Sequence, residues 1–150
     1  MSWCDAVARA SCPRNPESRD PKGTTTFCEH LFVTSQGSAY ARFRRALDGG
    51  NATIALAAAT ELDFVSLADA LELVLLLVDE PGKFRRAALR WHARYCADVP
   101  DVGFEEAQAV LACLAGLAGR RPKAAASALA ELIHRRGLER ASKLLIRWAA

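Results

Sequence analysis

The chain of 150 residues is 51% hydrophobic and 25% charged with a net charge of +3, an ordinary composition for one globular domain with its own core. Five cysteines without regular spacing exclude a disulfide framework, and no stretch reaches the roughly 20 apolar residues of a membrane span. The first residues, MSWCDAVARASCPRNP, lack the apolar segment of a secretory signal. We therefore expect a cytoplasmic protein with reduced thiols and no membrane association.

The charges are unevenly distributed along the chain. Residues 1–82 carry 7 basic and 11 acidic side chains, whereas residues 83–150 carry 13 and 6, which gives net charges of −4 and +7. Such asymmetry indicates either an acidic or nucleic-acid partner, or two halves that face each other in the fold. The excess of arginine over lysine partly reflects codon usage, since alanine is also abundant, as in GC-rich genomes.

The first 36 residues differ from the rest of the chain. They hold three of the six prolines and three of the five cysteines, and they sustain no helical or alternating pattern. The run PRNPESRDPKG is typical of irregular coil. We predict a poorly structured N-terminal arm over residues 1–36 and a helical domain over residues 37–150.

Helix signals begin at Ser38. This residue is a suitable N-cap for a helix that runs to about Asp48, where two glycines end it. Asn51 is placed to cap a second helix with the sequence ATIALAAATEL. Many alanines in that helix permit close packing against its neighbours.

The most apolar element is the segment SLADALELVLLLV, from Ser66 to Val78. Its leucines and valines cover nearly the whole circumference of a helix, which predicts a buried helix around which the other elements pack. Ser66 and Asp69 have the spacing of a capping box at its start. A central strand is the competing interpretation of Leu73 to Val78, but leucine has no strong preference for strands and no turn residue precedes the run.

Pro81 suits the first turn of the next helix, and the segment PGKFRRAALRWHARYCA is the most amphipathic in the chain. An apolar row at helical spacing predicts its core face, and this row consists of Phe84, Ala88, Trp91 and Tyr95. A cationic row lies about a third of a turn or more away. The cationic row consists of Lys83, Arg86, Arg90 and Arg94.

Three further helices complete the pattern. The first, FEEAQAVLACLAGLAG, has two glutamates in its first turn, where acidic residues are favoured. Another begins at Pro122 and ends near Arg136, and the segment LERASKLLIRW after Gly137 forms the last. The sequence thus predicts an all-α fold of six or seven short helices. Short links favour a compact bundle of antiparallel neighbours, and a short superhelical array of helix pairs is the alternative.

The phrases GNATIALAAATEL and RAALRWHARYC resemble short, Ala/Arg-rich helical proteins of unknown function found in GC-rich bacterial genomes. The resemblance covers the chain from Gly37 onward. It implies an all-helical bacterial protein, and it brings no catalytic residues and no activity.

Two pairs of side chains are candidates for a zinc site. Cys28 and His30 form a C-x-H pair, and His92 and Cys96 lie four residues apart on one helix face. Together they would supply the four nitrogen and sulfur ligands of a structural zinc ion. The pairs are far apart in the sequence and no C-x-x-C motif occurs, so we interpret His92 and Cys96 as boundary residues and expect no metal or other cofactor.

The cationic row is the most specific surface feature. A row of cations at helical spacing suits contact with phosphates or with an acidic partner. No exposed aromatic side chain accompanies it, because Trp91 and Tyr95 belong to the core row. Asp79 and Glu80 are close enough in sequence to pair with it, so a solvated or internally paired face is the competing interpretation.

The last two helices, Pro122–Arg136 and Leu138–Trp148, have the order of a helix-turn-helix with Gly137 in the turn. A recognition helix needs a polar face to enter a groove of DNA, and the second helix is too apolar for that. Packing against the body of the protein, or against a second copy, explains its apolar residues more simply.

Enzyme chemistry has little support in the sequence. Asp69 and Glu72 lie one turn apart, as paired catalytic carboxylates can, but helix starts favour acidic residues in any case. There is no Gly-rich phosphate loop, no G-x-S-x-G and no H-E-x-x-H. We therefore predict a non-enzymatic interaction or adaptor module that binds another protein or a second copy of itself. The alternative is a nucleic-acid-associated accessory protein that uses the basic second half.

Overall fold

The computed structural model describes residues 38–150, and these contain seven helices and no strand. The helices are α1 Ala39–Asp48, α2 Ala52–Ala59, α3 Leu67–Leu76, α4 Pro81–Asp98, α5 Phe104–Leu117, α6 Pro122–Arg135 and α7 Glu139–Ala149. The predicted all-α class is confirmed for this part of the chain. The arm predicted for residues 1–36 lies outside the described residues.

The local signals for helix starts act as the sequence predicted. Ser38 Oγ accepts a hydrogen bond from the backbone N–H three residues later at 3.2 Å, and Asn51 Oδ1 does the same at 3.0 Å. Ser66 Oγ caps α3 in the same way at 3.1 Å. Pro81 and Pro122 lie in the first turns of α4 and α6, where a missing N–H costs no hydrogen bond.

Two helices are shorter than the sequence predicted. After Ala59 the next three backbone N–H groups bond to carbonyls three residues back, so α2 tightens into a 3₁₀-type turn instead of continuing to Leu62. The chain does the same after Leu76, at the end of α3. Pro81 also keeps Glu80 out of the α-helical conformation (φ −115°, ψ 83°), so α3 cannot run into α4.

The helix α3 is the buried helix that the sequence predicted. Its residue Leu71 is completely buried and Val74 nearly so, and Leu77 beyond its end is again completely buried. A central strand, the competing interpretation of Leu73 to Val78, is wrong. The buried apolar side chains of all seven helices join into one continuous core.

Helices α3 to α7 form a closed ring. Each of them packs on the next along the chain, and α7 returns to pack on α3, while α1 and α2 form a hairpin that also contacts α3. In a superhelical array each repeat would contact only its neighbours. The contact between α7 and α3 therefore confirms the compact bundle. Within residues 38–150, no helix has both the length and the apolar character needed to cross a bilayer.

The close approach of α5 to α6 depends on Gly116. A Cβ atom at this position would lie 2.8 Å from Cβ of Ala125, which real neighbours do not tolerate. We expect Gly116→Ala to lower the free energy of unfolding by about 1 kcal/mol, because overpacking outweighs the gain in helix propensity. Urea denaturation followed by circular dichroism measures the change.

Two variants serve as controls for this prediction. Gly82→Ala adds a Cβ with no neighbour within 4 Å, so it is expected to be neutral or slightly stabilising. Ala125→Gly combined with Gly116→Ala removes the collision and should be no less stable than Ala125→Gly alone. Wild-type stability of the Gly116→Ala single variant would contradict the predicted collision.

Candidate partner-binding groove

The structure divides the cationic row of α4 into two parts. Lys83 pairs with the carboxylate of the N-cap residue of its own helix at 2.6 Å. Arg86 Nε donates to a carbonyl in the first turn of that helix at 3.2 Å. Arg90 and Arg94, by contrast, line a groove that the sequence did not reveal.

This groove lies between α2, α3 and α4 and encloses a volume of about 350 Å³. Its walls are mainly aliphatic, and the apolar side chains that line them are Leu56, Ala59, Val65, Ala70, Leu73, Val74, Ala87 and Trp91. The helix α2 packs on α1 and only lightly on α3, and it makes no close backbone contact with α4. Three of the lining residues are alanines, whose short side chains leave the space between the helices open.

Trp91 is fixed in position beneath the groove. Its side chain is 2% exposed, and its Nε1–H donates to the carbonyl of Leu67 at 2.8 Å. The indole also stacks on Tyr95 with 5.5 Å between the ring centroids. The prediction that both aromatics belong to the core is confirmed, and the polar atom of Trp91 is satisfied within the fold. Trp91 therefore gives the groove a rigid apolar floor.

Arg94 is held at the rim by three interactions. Its Nη1 donates to the carbonyl of Val65 at 2.7 Å, and its Nη2 pairs with Asp98 at 3.0 Å. Its guanidinium carbon lies 5.5 Å from the centroid of the Phe64 ring, a cation–π contact. These contacts tie the connection between α2 and α3 to α4, so the main task of Arg94 is to hold the wall of the groove.

Arg90 is the free cation of the groove. Its side chain is exposed, and it makes no hydrogen bond and no ion pair within residues 38–150. A guanidinium beside an apolar surface is weakly hydrated and can form two parallel hydrogen bonds to a carboxylate. The groove therefore combines an apolar surface with one charged contact.

The carboxylate of Asp69 is engaged within the fold. It is 1% exposed, and Oδ1 accepts hydrogen bonds from Arg44 at 3.0 Å and from Arg140 at 2.6 Å. Oδ2 accepts from Ser66 Oγ at 2.8 Å and from Tyr40 at 3.2 Å. A carboxylate has about four lone-pair positions, and all four are occupied. The predicted capping box is thus half formed, because Asp69 accepts from the hydroxyl of Ser66 and not from its backbone N–H.

Glu72 contacts Arg44 at 2.7 Å, so both candidate catalytic carboxylates bind the same guanidinium. Arg140 comes from the basic half of the chain and Asp69 from the acidic half. This ion pair supports the interpretation that the two halves face each other, at least where α7 meets α3.

The second half of the candidate zinc site is occupied by a backbone contact. His92 Nε2 lies 2.8 Å from the carbonyl oxygen of Ala107 and 3.7 Å from Sγ of Cys96. A hydrogen bond to a carbonyl requires that Nε2 carry the proton, so this nitrogen has no lone pair for a metal. Within residues 38–150, no group of three or more potential ligands occurs. Cys28 and His30 lie outside the described residues.

Packing against the body of the protein explains the apolar residues of α7 in part, since Ile146 remains 58% exposed. Leu145 is completely buried and Leu144 nearly so, and α7 packs closely along α6. On its outer side Lys143 pairs with Glu139 at 3.4 Å. These contacts leave α7 bound to the body of the protein.

Comparison of the chain with protein-family models, with curated proteins and with solved structures returns no match. The resemblance to Ala/Arg-rich helical proteins of GC-rich bacteria therefore stays a prediction. The chemistry of the groove is the ground for a functional assignment.

Proposed function

We propose that this protein is a non-enzymatic interaction module whose groove between α2, α3 and α4 binds a segment of another protein. The segment places one or two large apolar side chains in the groove and an aspartate or glutamate against Arg90. One observation supports this function above all: an open apolar groove has an unpaired guanidinium at its rim.

The expected division of labour between the two contacts follows from their chemistry. Burial of one leucine or phenylalanine side chain supplies about 1.5–3 kcal/mol, which is the main source of affinity. The pairing of Arg90 with a carboxylate contributes selectivity more than affinity. Because Trp91 and Arg94 are already held by hydrogen bonds, little ordering of the groove is needed on binding.

The alternative function, association with nucleic acid, would use the same arginines. The groove walls are mainly aliphatic, but one exposed aromatic does accompany the cationic row: Phe64 is 72% exposed, and the guanidinium of Arg94 lies over one face of its ring. Arg136 and Arg140 are paired with carboxylates of the fold, which reduces the basic surface of the second half. Phe64 lies outside the groove lining and offers bases one free ring face, so an acidic, apolar protein segment fits the groove itself better.

Selection from a random peptide library on the full-length protein tests the proposal. Enriched sequences should share a large apolar residue next to an aspartate or glutamate. Ala87→Trp fills the groove and should abolish the enrichment, whereas Ala128→Trp, on the exposed face of α6, should leave it unchanged. Arg90→Glu should shift the selection from acidic to basic residues, and circular dichroism verifies that each variant is folded.

Two results would overturn this function. If the Ala87→Trp or the Arg90→Glu variant enriched the same peptides as the wild type, the peptides would bind outside the groove. Nucleic acid that stays bound to the purified protein, and is released by salt and by Arg90→Glu, would favour the accessory role in its place.

A further inference from the structure

The outer face of α5 is exposed and carries no charge over three turns. The sequence from Ala107 to Gly119, AQAVLACLAGLAG, has no charged residue. On this face Phe104 is 73% exposed and Leu111 is 38% exposed. The two side chains lie two turns apart, and the uncharged Gln108 is exposed between them. Exposed apolar side chains that recur on one helix face are typical of an interaction surface.

Large and small side chains are segregated along this face. Phe104, Gln108 and Leu111 lie in its first half. The exposed residues of its second half and of the turn after it are small, namely Ala112, Ala115, Ala118 and Gly119. The charged residues at the two ends of α5 are also segregated by sign, with an acidic residue at the start and basic residues after the end. Glu105 is exposed in the first turn, and two exposed arginines, Arg120 and Arg121, follow the end of the helix.

We propose that the protein forms a symmetric dimer in which α5 packs antiparallel on α5 of a second copy. A two-fold axis sets residue i against residue j and residue j against residue i. With the axis between Leu111 and Ala112, each leucine packs on the alanine of the other copy. Phe104 then lies against Gly119 of the other copy, so that large side chains meet small ones throughout.

The charges at the two ends of α5 point to a second copy as the occupant. In the antiparallel arrangement Glu105 of each copy faces Arg120 and Arg121 of the other, at both ends of the interface. A parallel arrangement would set arginines against arginines and glutamate against glutamate. The 14 residues of α5 extend about 21 Å, which separates the two charged ends from each other and from the axis.

The neighbouring helix α4 also carries an exposed apolar side chain. Tyr95 contacts Glu106 and His92 contacts Ala107, so α4 runs antiparallel beside α5. Leu89 lies one turn before His92, which places it near Leu111 in height along the two helix axes. Its side chain is 49% exposed. The proposed interface is independent of the groove, since α5 contributes no residue to the groove lining.

Sedimentation equilibrium of the full-length protein in reducing buffer, over a wide range of concentrations, tests the dimer. The wild type should show a monomer–dimer equilibrium. Ala112→Arg places two like charges at the axis and should weaken dimerisation by about a hundredfold. The matched variant Ala128→Arg, which adds the same charge to the exposed face of α6, should dimerise like the wild type.

A charge exchange tests the antiparallel register. Glu105→Arg alone, and the pair Arg120→Glu and Arg121→Glu alone, should each weaken the dimer. All three changes together restore opposite charges at both ends and should recover most of the wild-type affinity. Such recovery would not follow if these residues acted only on the fold of one chain.

The outcomes distinguish the surface, the register and the function of the groove. A wild type that stays monomeric at every concentration overturns the proposal, and so does a dimer that Ala112→Arg leaves intact. The antiparallel register is overturned if Ala112→Arg weakens the dimer but the separate triple charge exchange does not recover the affinity lost in its component variants. Since Ala112→Arg does not touch the groove, peptide selection on this variant reports on the proposed function separately.

Discussion

Replacement of Asp69 by alanine is expected to lower the free energy of unfolding by about 3 kcal/mol. The reason is that this buried carboxylate accepts hydrogen bonds from two other helices, through Arg44 on α1 and Arg140 on α7, and from the hydroxyl of Ser66 at the N-cap of its own helix. Its loss removes the ionic link between α7 and α3, where the ring of helices closes. Urea denaturation followed by tryptophan fluorescence measures the change.

Glu72→Ala is the matched control for Asp69→Ala. Glu72 lies one turn along the same helix and pairs with Arg44, but its side chain is 19% exposed, and within residues 38–150 it forms no hydrogen bond or ion pair with α7. We expect this change to cost about 1 kcal/mol or less. If both variants lost the same stability, the contact with Arg140 would not be the feature that matters, and the predicted role of Asp69 would be wrong.

Glu106→Ala is expected to cost about 2–3 kcal/mol at neutral pH. The hydroxyl of Tyr95, which is completely buried, donates to Glu106 Oε1 at 2.6 Å, and Arg136 Nε donates to the same oxygen at 2.8 Å. Arg136 also binds the backbone carbonyl of Asp101 at 3.0 Å, so the cluster joins α4, α5, the loop between them and the end of α6. Without Glu106 the buried hydroxyl has no acceptor, and thermal or urea unfolding of the variant reports the loss.

The same cluster predicts a loss of stability in acid. Hydrogen bonds from Arg136, and then from Tyr95, lower the pKa of Glu106 from 4.5 to about 2. Burial, together with Glu106, raises the pKa of the Tyr95 phenol above its ordinary value. Since the folded state holds Glu106 ionised where the unfolded state takes up a proton, its contribution is complete above pH 4.5 and is lost as the pH falls towards 2.

Glu106→Gln, which cannot titrate, isolates this contribution. The slope of unfolding free energy against pH, measured by urea denaturation between these two pKa values, should be smaller in this variant than in the wild type. Asp79→Asn removes an exposed carboxylate that forms no hydrogen bond or ion pair within residues 38–150, and it should leave the slope unchanged. An unchanged slope in Glu106→Gln would mean that the pair with Arg136 is not formed in solution.

The sequence by itself determined the helices and their inward faces. Each of the signals for them depends on residues within a few positions of each other. These signals include the caps Ser38 and Asn51, the proline at the start of α4 and the core row around Trp91. Such signals can be read without knowledge of the fold because one turn of helix contains both partners. The buried character of α3 was readable for the same reason, since apolar residues on every face leave no side for solvent.

Only the tertiary structure decided how those helices meet. Arg140 and Asp69, the pair that joins α7 to α3, are 71 residues apart, and helical periodicity marks an inward face without naming its neighbour. The groove could not be predicted from the sequence for the same reason. The sequence singled out Arg90 as one of four equivalent cations, and its unpaired state depends on which carboxylates the fold brings near. The space beside it depends on how three consecutive helices, α2 to α4, pack on one another, with alanines where larger side chains would have filled it.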